Sequence, residues 1–286
     1  MIQAKKIILT AVTTVFSILG VSAQTLKTPA PSPTQTLKQN FALSDITIEY
    51  SRPGVKDRVI FGDVVPFGKI WRTGANASTK IAFTDSVKVE GKNVPSGTYA
   101  LYTVPNKTSW DIIFYKDLTL GGNVANYKTE NELVRFSVKP TSIPTKVETF
   151  TINVVDITAT TATIELVWDK TRVAFGVVAD IDARVLKNIE TTLAPTDTRP
   201  YFQSANYYYE NNKDQKQALE WINKAIELNP KAFFMVMLKA KIQFKLKDKA
   251  SALATAQQVI PLAQEAKNDD YVNMANKFIT EVKKAK

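Results

Sequence analysis

The sequence predicts an α+β chain of two domains, an antiparallel β-sandwich followed by an α-helical domain. Two observations carry that prediction. Between about residues 41 and 178, apolar and polar residues alternate at period two, in short runs broken by Gly, Pro, Asn and Asp. Beyond residue 178 the apolar spacing lengthens to about 3.6, the helical period. A third feature, an apolar run near the amino end, points to a chain that leaves the cytoplasm.

That run comes first in order. Lys5 and Lys6 precede an apolar stretch over residues 7–21, and Val21-Ser22-Ala23 supplies the small residues that signal peptidase requires. The expected signal peptide is therefore 1–23, cleaved after Ala23, and the exported chain is periplasmic or extracellular. No later segment approaches the roughly 18 apolar residues of a membrane span, so no integral membrane segment is expected in the mature chain. Lipidation at the cleavage site would need a cysteine, and the chain has none. Residues 24–40, with T-P-A-P-S-P-T-Q at 28–35, read as a Pro-rich tether.

The β-domain is expected over 41–180. Strand patterns fall at 46–50, 81–83, 87–89, 98–104, 110–115, 133–138, 148–155, 163–168 and 173–178. Pro105-Asn106-Lys107-Thr108 makes a hairpin-like link between two of them. Eight or nine strands with no long helical pattern between them imply a sandwich, with a closed barrel as the alternative. The stretch 58–80, R-V-I-F-G-D-V-V-P-F-G-K-I-W-R-T-G-A-N-A-S-T-K, is too rich in turn-formers for a strand. Gly62, Pro66, Gly68, Gly74 and Asn76 around Trp71-Arg72 describe a loop of defined shape. With Tyr50-Ser51-Arg52-Pro53 before it and Pro95-Ser96-Gly97-Thr98-Tyr99 after it, this stretch resembles the secreted bacterial domain-of-unknown-function family number 2911. The resemblance covers about 41–178 and brings no activity with it.

Ile181, Val185, Ile189 and Leu193 share one face of a connecting helix within 181–198, ended by Pro195 and Pro200. A helical domain over 199–286 follows, opening with a helical pair at about 201–228. Tyr209, Ala218, Ala225 and Pro230 fall where a tetratricopeptide repeat places its large, small, small and proline residues, so the domain resembles that repeat. A step of about 34 residues carries Ala218 to Ala252 and Asn206 to Ala240. That predicts a second, looser repeat, with a turn at Asp248, a helix at 250–262 and a terminal helix at 270–284. The lysine-rich run 239–249 reads as a solvated face around Ile242 and Leu246.

Histidine and cysteine are both absent. That removes histidine-based nucleophile triads, thiol chemistry and the commonest zinc ligands. Carboxylate, Lys, Tyr or Ser–Lys chemistry and oxygen-only metal sites remain. No cofactor and no metal is expected, because no Asp/Asn ladder is dense enough for a calcium loop. The carboxylates Asp45 with Glu49, Asp57 with Asp63 and Glu130 with Glu132 read as solvated groups. Tyr99, Tyr102, Trp110, Phe114 and Tyr115 read as sandwich core, with Trp110, Ile112 and Phe114 on one face.

The candidate ligand-binding residues are Tyr50, Arg52, Arg58, Trp71, Arg72 and Asn76, together with Phe61. Aromatics beside guanidinium forks grip a sugar face or an anion. The competing reading makes Trp71 a core cap and uses Arg72 and Arg52 to satisfy loop carbonyls that no ladder reaches. Net charge is +10, from 37 basic and 27 acidic residues, and suits either solubility or anionic envelope partners. No nucleic-acid-binding module is recognisable. The expectation is an exported, non-enzymatic binding or scaffolding protein of the cell envelope, with a protein partner on the helical domain. Alternatives are a glycan-binding β-domain, contacting envelope glycan, and a carboxylate-dependent hydrolase.

Overall fold

The computed structural model describes residues 28–193 and 197–285. The signal peptide, the Ala23 cleavage site, the start of the tether and Pro195 lie outside the described residues. The chain divides into two compact units, one holding most of the strands and the other all the helices from Val178 on, together with residues 86–88 and 158–161.

In the strand unit, a six-stranded sheet runs β1 (Thr34–Phe41), β2 (Ser44–Ser51), β3 (Thr79–Phe83), β6 (Gly97–Val104), β7 (Trp110–Tyr115), β8 (Glu132–Val138). Every neighbouring pair in it is antiparallel. A four-stranded sheet runs β5 (Lys92–Val94), β4 (Val87–Val89), β10 (Thr161–Val178), β9 (Thr141–Val155). Alternation builds the core between them. In β2, Ile46, Ile48 and Tyr50 are buried while Glu49 faces out and pairs with Lys80, its register partner on β3, at 3.6 Å. Ring contacts then join the sheets face to face: Tyr50 to Phe150 at 5.8 Å, Phe114 to Phe175 at 6.2 Å and Phe136 to Phe175 at 5.6 Å. Both sheets keep open edges, so the barrel alternative does not form.

Three elements differ from the sequence expectation. Residues 34–40, placed in the tether, form most of β1, whose weak alternation follows from lying at an edge with its outer residues exposed. The short strand β5 carries a single buried residue, Val94, too little to register as a pattern. The runs 163–168 and 173–178 are one strand, β10, which passes through Asp169 at φ +53° with two register shifts against β9. The polar residues that look like a turn are a bulge.

Strands β6 and β7 are buried on both faces. One face meets the second sheet; the other is covered by the segment 116–131, which includes two single-turn 3-10 helices. Tyrosines fasten that cover. Tyr102 donates its hydroxyl to the Gly121 carbonyl at 2.8 Å, and Tyr115 accepts from the Lys128 amide at 3.0 Å and from Asn131 at 3.3 Å. Tyr127 stacks on Tyr115 at 4.6 Å. Burial pushes the Tyr127 hydroxyl well above its ordinary pKa, and its bond to the Glu132 carboxylate adds to the shift.

In the helical unit, α1 (Asp182–Thr192) is followed by α2 (Thr198–Glu210), α3 (Gln215–Leu228), α4 (Phe233–Lys245), α5 (Lys249–Glu265) and α6 (Asp269–Lys284). Pro200, expected to end a helix, sits in the first turn of α2, where no intrahelical amide bond is lost. Asp197, Asp214, Asp248 and Asn268 cap the starts of α2, α3, α5 and α6 through side-chain oxygens. Helix α4 is apolar on two sides because it serves two clusters. Met235, Leu238 and Ile242 pack with Ala205, Ala218 and Ala225; Val236, Met237 and Ala240 pack with Ala252, Ala256 and Phe278. At the amino end of the unit, Asp182 of α1 accepts from Tyr207 and Lys213, which lowers its carboxyl pKa, Lys213 having the larger effect.

Candidate functional site

The segment between β2 and β3 is held by a scatter of single bonds. Trp71 forms an antiparallel bridge with Thr103 on β6, its amide donating at 2.8 Å and its carbonyl accepting at 2.9 Å. Gly68 donates to the Pro105 carbonyl at 2.9 Å. Thr73 takes φ +55°, an unfavourable conformation for a β-branched residue, with its hydroxyl bonded to Thr103 at 3.1 Å and its carbonyl held by Thr79 at 2.5 Å.

Most of the six predicted site residues are fasteners here. Tyr50 is buried, accepts from the Ile152 amide at 2.9 Å and lies 3.0 Å from the Gln35 amide oxygen. Arg52 reaches across to β9, donating to the Phe150 carbonyl at 3.0 Å and to Thr151 at 2.7 Å. Arg58 closes its own turn on the carbonyls of Val55 (3.1 Å) and Gly54 (2.7 Å). Asn76, at φ +58°, donates to the Ser32 carbonyl and to Ser51, both at 3.2 Å. Trp71 is 9% exposed and donates its indole N–H to the Gly74 carbonyl at 3.1 Å.

Arg72 departs from the carbonyl-satisfying role. Its Nε is buried without a hydrogen-bond partner among the described residues. The covering segment lies directly on the guanidinium: a Cβ at Gly122 would fall 2.6 Å from Nη1, so a larger residue there would require the Arg72 side chain to shift. Burial raises the pKa of the adjacent Tyr102 hydroxyl, while a bond with Ser78 and the Arg72 charge pull the other way.

Trp71 belongs to a cluster that no linear reading assembles. Its ring lies 5.9 Å from Trp168 in a stacked pair, 5.3 Å from Phe150, 6.3 Å from Trp110 and 6.2 Å from Phe61. Phe61, half-buried, packs edge-on against Trp110 at 4.9 Å and is the outermost ring.

Outside Phe61 opens a cleft of about 380 Å³. Its aromatic lining residues are Phe61, Phe67 and Trp110, the last of them 2% exposed. Val59, Ile60 and Phe61 line the cleft from the turn 59–65, which is tied by bonds between Gly62 and Val65 (2.9 Å) and between Val65 and Ile60 (2.8 Å). Gly62 at φ +102° lets Phe67 lie close, since a Cβ there would sit 2.8 Å from that ring. The cleft is lined as well by Pro140, Thr141 and Ser142, by Asp169, Lys170 and Thr171 of the β10 bulge, and by Asn106 and Lys107 of the β6–β7 turn. None of the six predicted residues lines this cleft; Phe61 of the same group does. The signals that point to it in the sequence are the D-K-T-R interruption of an apolar run and the turn 105–108.

The carboxylates are dispersed. Asp45 pairs with Lys38 at 3.0 Å, Glu49 with Lys80, and Asp57 with Lys146 at 4.0 Å. Glu132 holds Arg135 at 2.7 Å, which keeps the Glu132 carboxyl below the ordinary carboxylate range against the desolvation that opposes it. Among the described residues no three acidic, histidine or cysteine side chains converge on a metal position. No helix among them is long and apolar enough to cross a membrane.

A family model described as a protein of unknown function, DUF2911, matches residues 32–177, the span of the two sheets. No curated protein matches the chain.

Proposed function

The chain belongs to the DUF2911 family of proteins of unknown function, and from that premise we propose that it is an exported, non-catalytic binding protein whose β-domain holds a glycan unit. The cleft beside Trp110 carries this reading. A sugar ring has an apolar C–H face and a hydroxyl edge, and the cleft is lined by rings and by hydroxyl and amide groups. Its volume of about 380 Å³ lies at the small end of the range for small-molecule sites, about 300–1,000 Å³. Val59, in that lining, is 67% exposed, an apolar surface that a ligand would cover. Trp71 then supports the site from behind through Phe61.

Export rests on the basic, apolar and small-residue sequence ending at Ala23. For the helical unit, the fully buried Ala218 and Ala252 at matching places in α3 and α5 favour tetratricopeptide-like pairing, a scaffold whose grooves take peptide segments of protein partners.

Retention of the purified chain on insoluble polysaccharides, peptidoglycan among them, tests the glycan reading. Retention should occur and should fall in Phe67→Ala and Val59→Ser, the second of which alters an exposed side chain and leaves melting unchanged. If no polysaccharide retains the chain, or both variants bind like wild type, the cleft is not a glycan site.

A further inference from the structure

Resting on the glycan reading of the cleft, we infer that its ligand is an acidic sugar, a residue bearing a carboxylate that Lys107 and Lys170 engage while its ring lies on Phe61 and Phe67.

The charges of the cleft are the ground for this. Lys107 comes from the β6–β7 turn and Lys170 from the β10 bulge, and both line the one cavity. Neither has an ion-pair or hydrogen-bond partner among the described residues. Three other lysines of this unit are ion-paired, Lys38 with Asp45, Lys80 with Glu49 and Lys146 with Glu148 at 3.4 Å. The cleft itself sets two ammonium groups against a single carboxylate, Asp169. An anion entering it gains attraction from two ammonium groups and displaces no internal partner. Asp169 is held at φ +53° by the bulge and also has no internal partner among the described residues. A carboxylate accepts from two neighbouring sugar hydroxyls, so Asp169 fits the hydroxyl edge as the lysines fit the acid group. The bulge is the device that puts Asp169 and Lys170 in the lining of one cleft: an unbroken strand points successive side chains to opposite faces.

Calorimetric titration of the purified chain decides the matter, with Trp110 in the cleft lining giving a parallel fluorescence signal. The probes are oligosaccharides of galacturonate, mannuronate and glucuronate, each against its carboxyl-reduced, neutral form. The acidic form should bind at least about tenfold more tightly than its neutral form, about 1.4 kcal/mol. The preference should shrink with added salt and vanish in the double variant Lys107→Ala/Lys170→Ala, with melting unchanged. Equal binding of both forms, lost in Phe67→Ala, would overturn the acidic-sugar inference and leave the glycan reading standing. An acid preference that survives the double variant would trace to the general positive charge and equally overturn it. Binding of neither form would remove both readings together.

Discussion

At Trp71 a backbone bridge to Thr103, an indole bond to Gly74 and ring contacts with four aromatic residues converge on one side chain. Each ring pair contributes about 0.5–1.5 kcal/mol beyond the area it buries. Removing the indole leaves a hole that Phe61, Trp110 and Trp168 cannot all collapse into, because each is anchored in its own element. Trp71→Ala is therefore expected to cost about 3–5 kcal/mol in chemical denaturation of the β-domain. That is a large share of the about 5–15 kcal/mol that holds a domain folded. Melting within about 0.5 kcal/mol of wild type, as at a surface position, would mean that Trp71 serves a ligand instead. Its neighbour shows how far a local reading reaches. Arg72 stands one residue away, yet its guanidinium lies under Gly122, on the other face of the first sheet from the tryptophan cluster.

Elements in this chain are specified locally and finished by their neighbours. The α3 sequence places Ala218, Ile222 and Ala225 on one stripe, and all three are fully buried. The alanines set the spacing, because a larger side chain there would push α2 or α4 outward. Ala252 and Ala256 do the same for α5 against α4 and α6. Ala218→Leu and Ala252→Leu should each destabilise the helical unit by about 1–3 kcal/mol through overpacking, read from loss of helical signal on heating. A neutral outcome at both positions would show that the helices separate easily and that close packing is not what the alanines are for. The strand β10 teaches a complementary lesson. Its polar interruption reads as the end of one strand and the start of another, but β9 continues alongside, and the ladder resumes after the bulge.

For the whole molecule, the sheets enclose one core and the helices another, so each unit is expected to fold on its own sequence. A fragment spanning 28–180 should unfold in one cooperative step. A fragment spanning 41–180 loses nearly all of β1, and with it the Gln35 partner of Tyr50 and the hydrogen-bonding edge of β2. It should be the less stable of the two by chemical denaturation. Equal stability would make β1 dispensable, and loss of cooperativity in the longer fragment would mean that the helices complete the sheet core.

The sequence by itself determined the α+β class, most strand and helix positions and the excluded chemistries, because periodicity, capping residues and the absence of histidine and cysteine are properties of the chain taken locally. It also located the irregular segment around Trp71, since turn-formers act within a few residues. Only the tertiary structure decided which faces were covered. Tyr102 and Tyr115, expected in the sandwich core, are buried instead on the opposite face of β6 and β7, where the segment 116–131 closes over them. Only the fold brought Phe61, Trp110 and Asp169 to one cleft, from the 59–65 turn, β7 and β10. Strand order and bulge geometry come from pairings between residues far apart in the chain, and no local pattern carries that information.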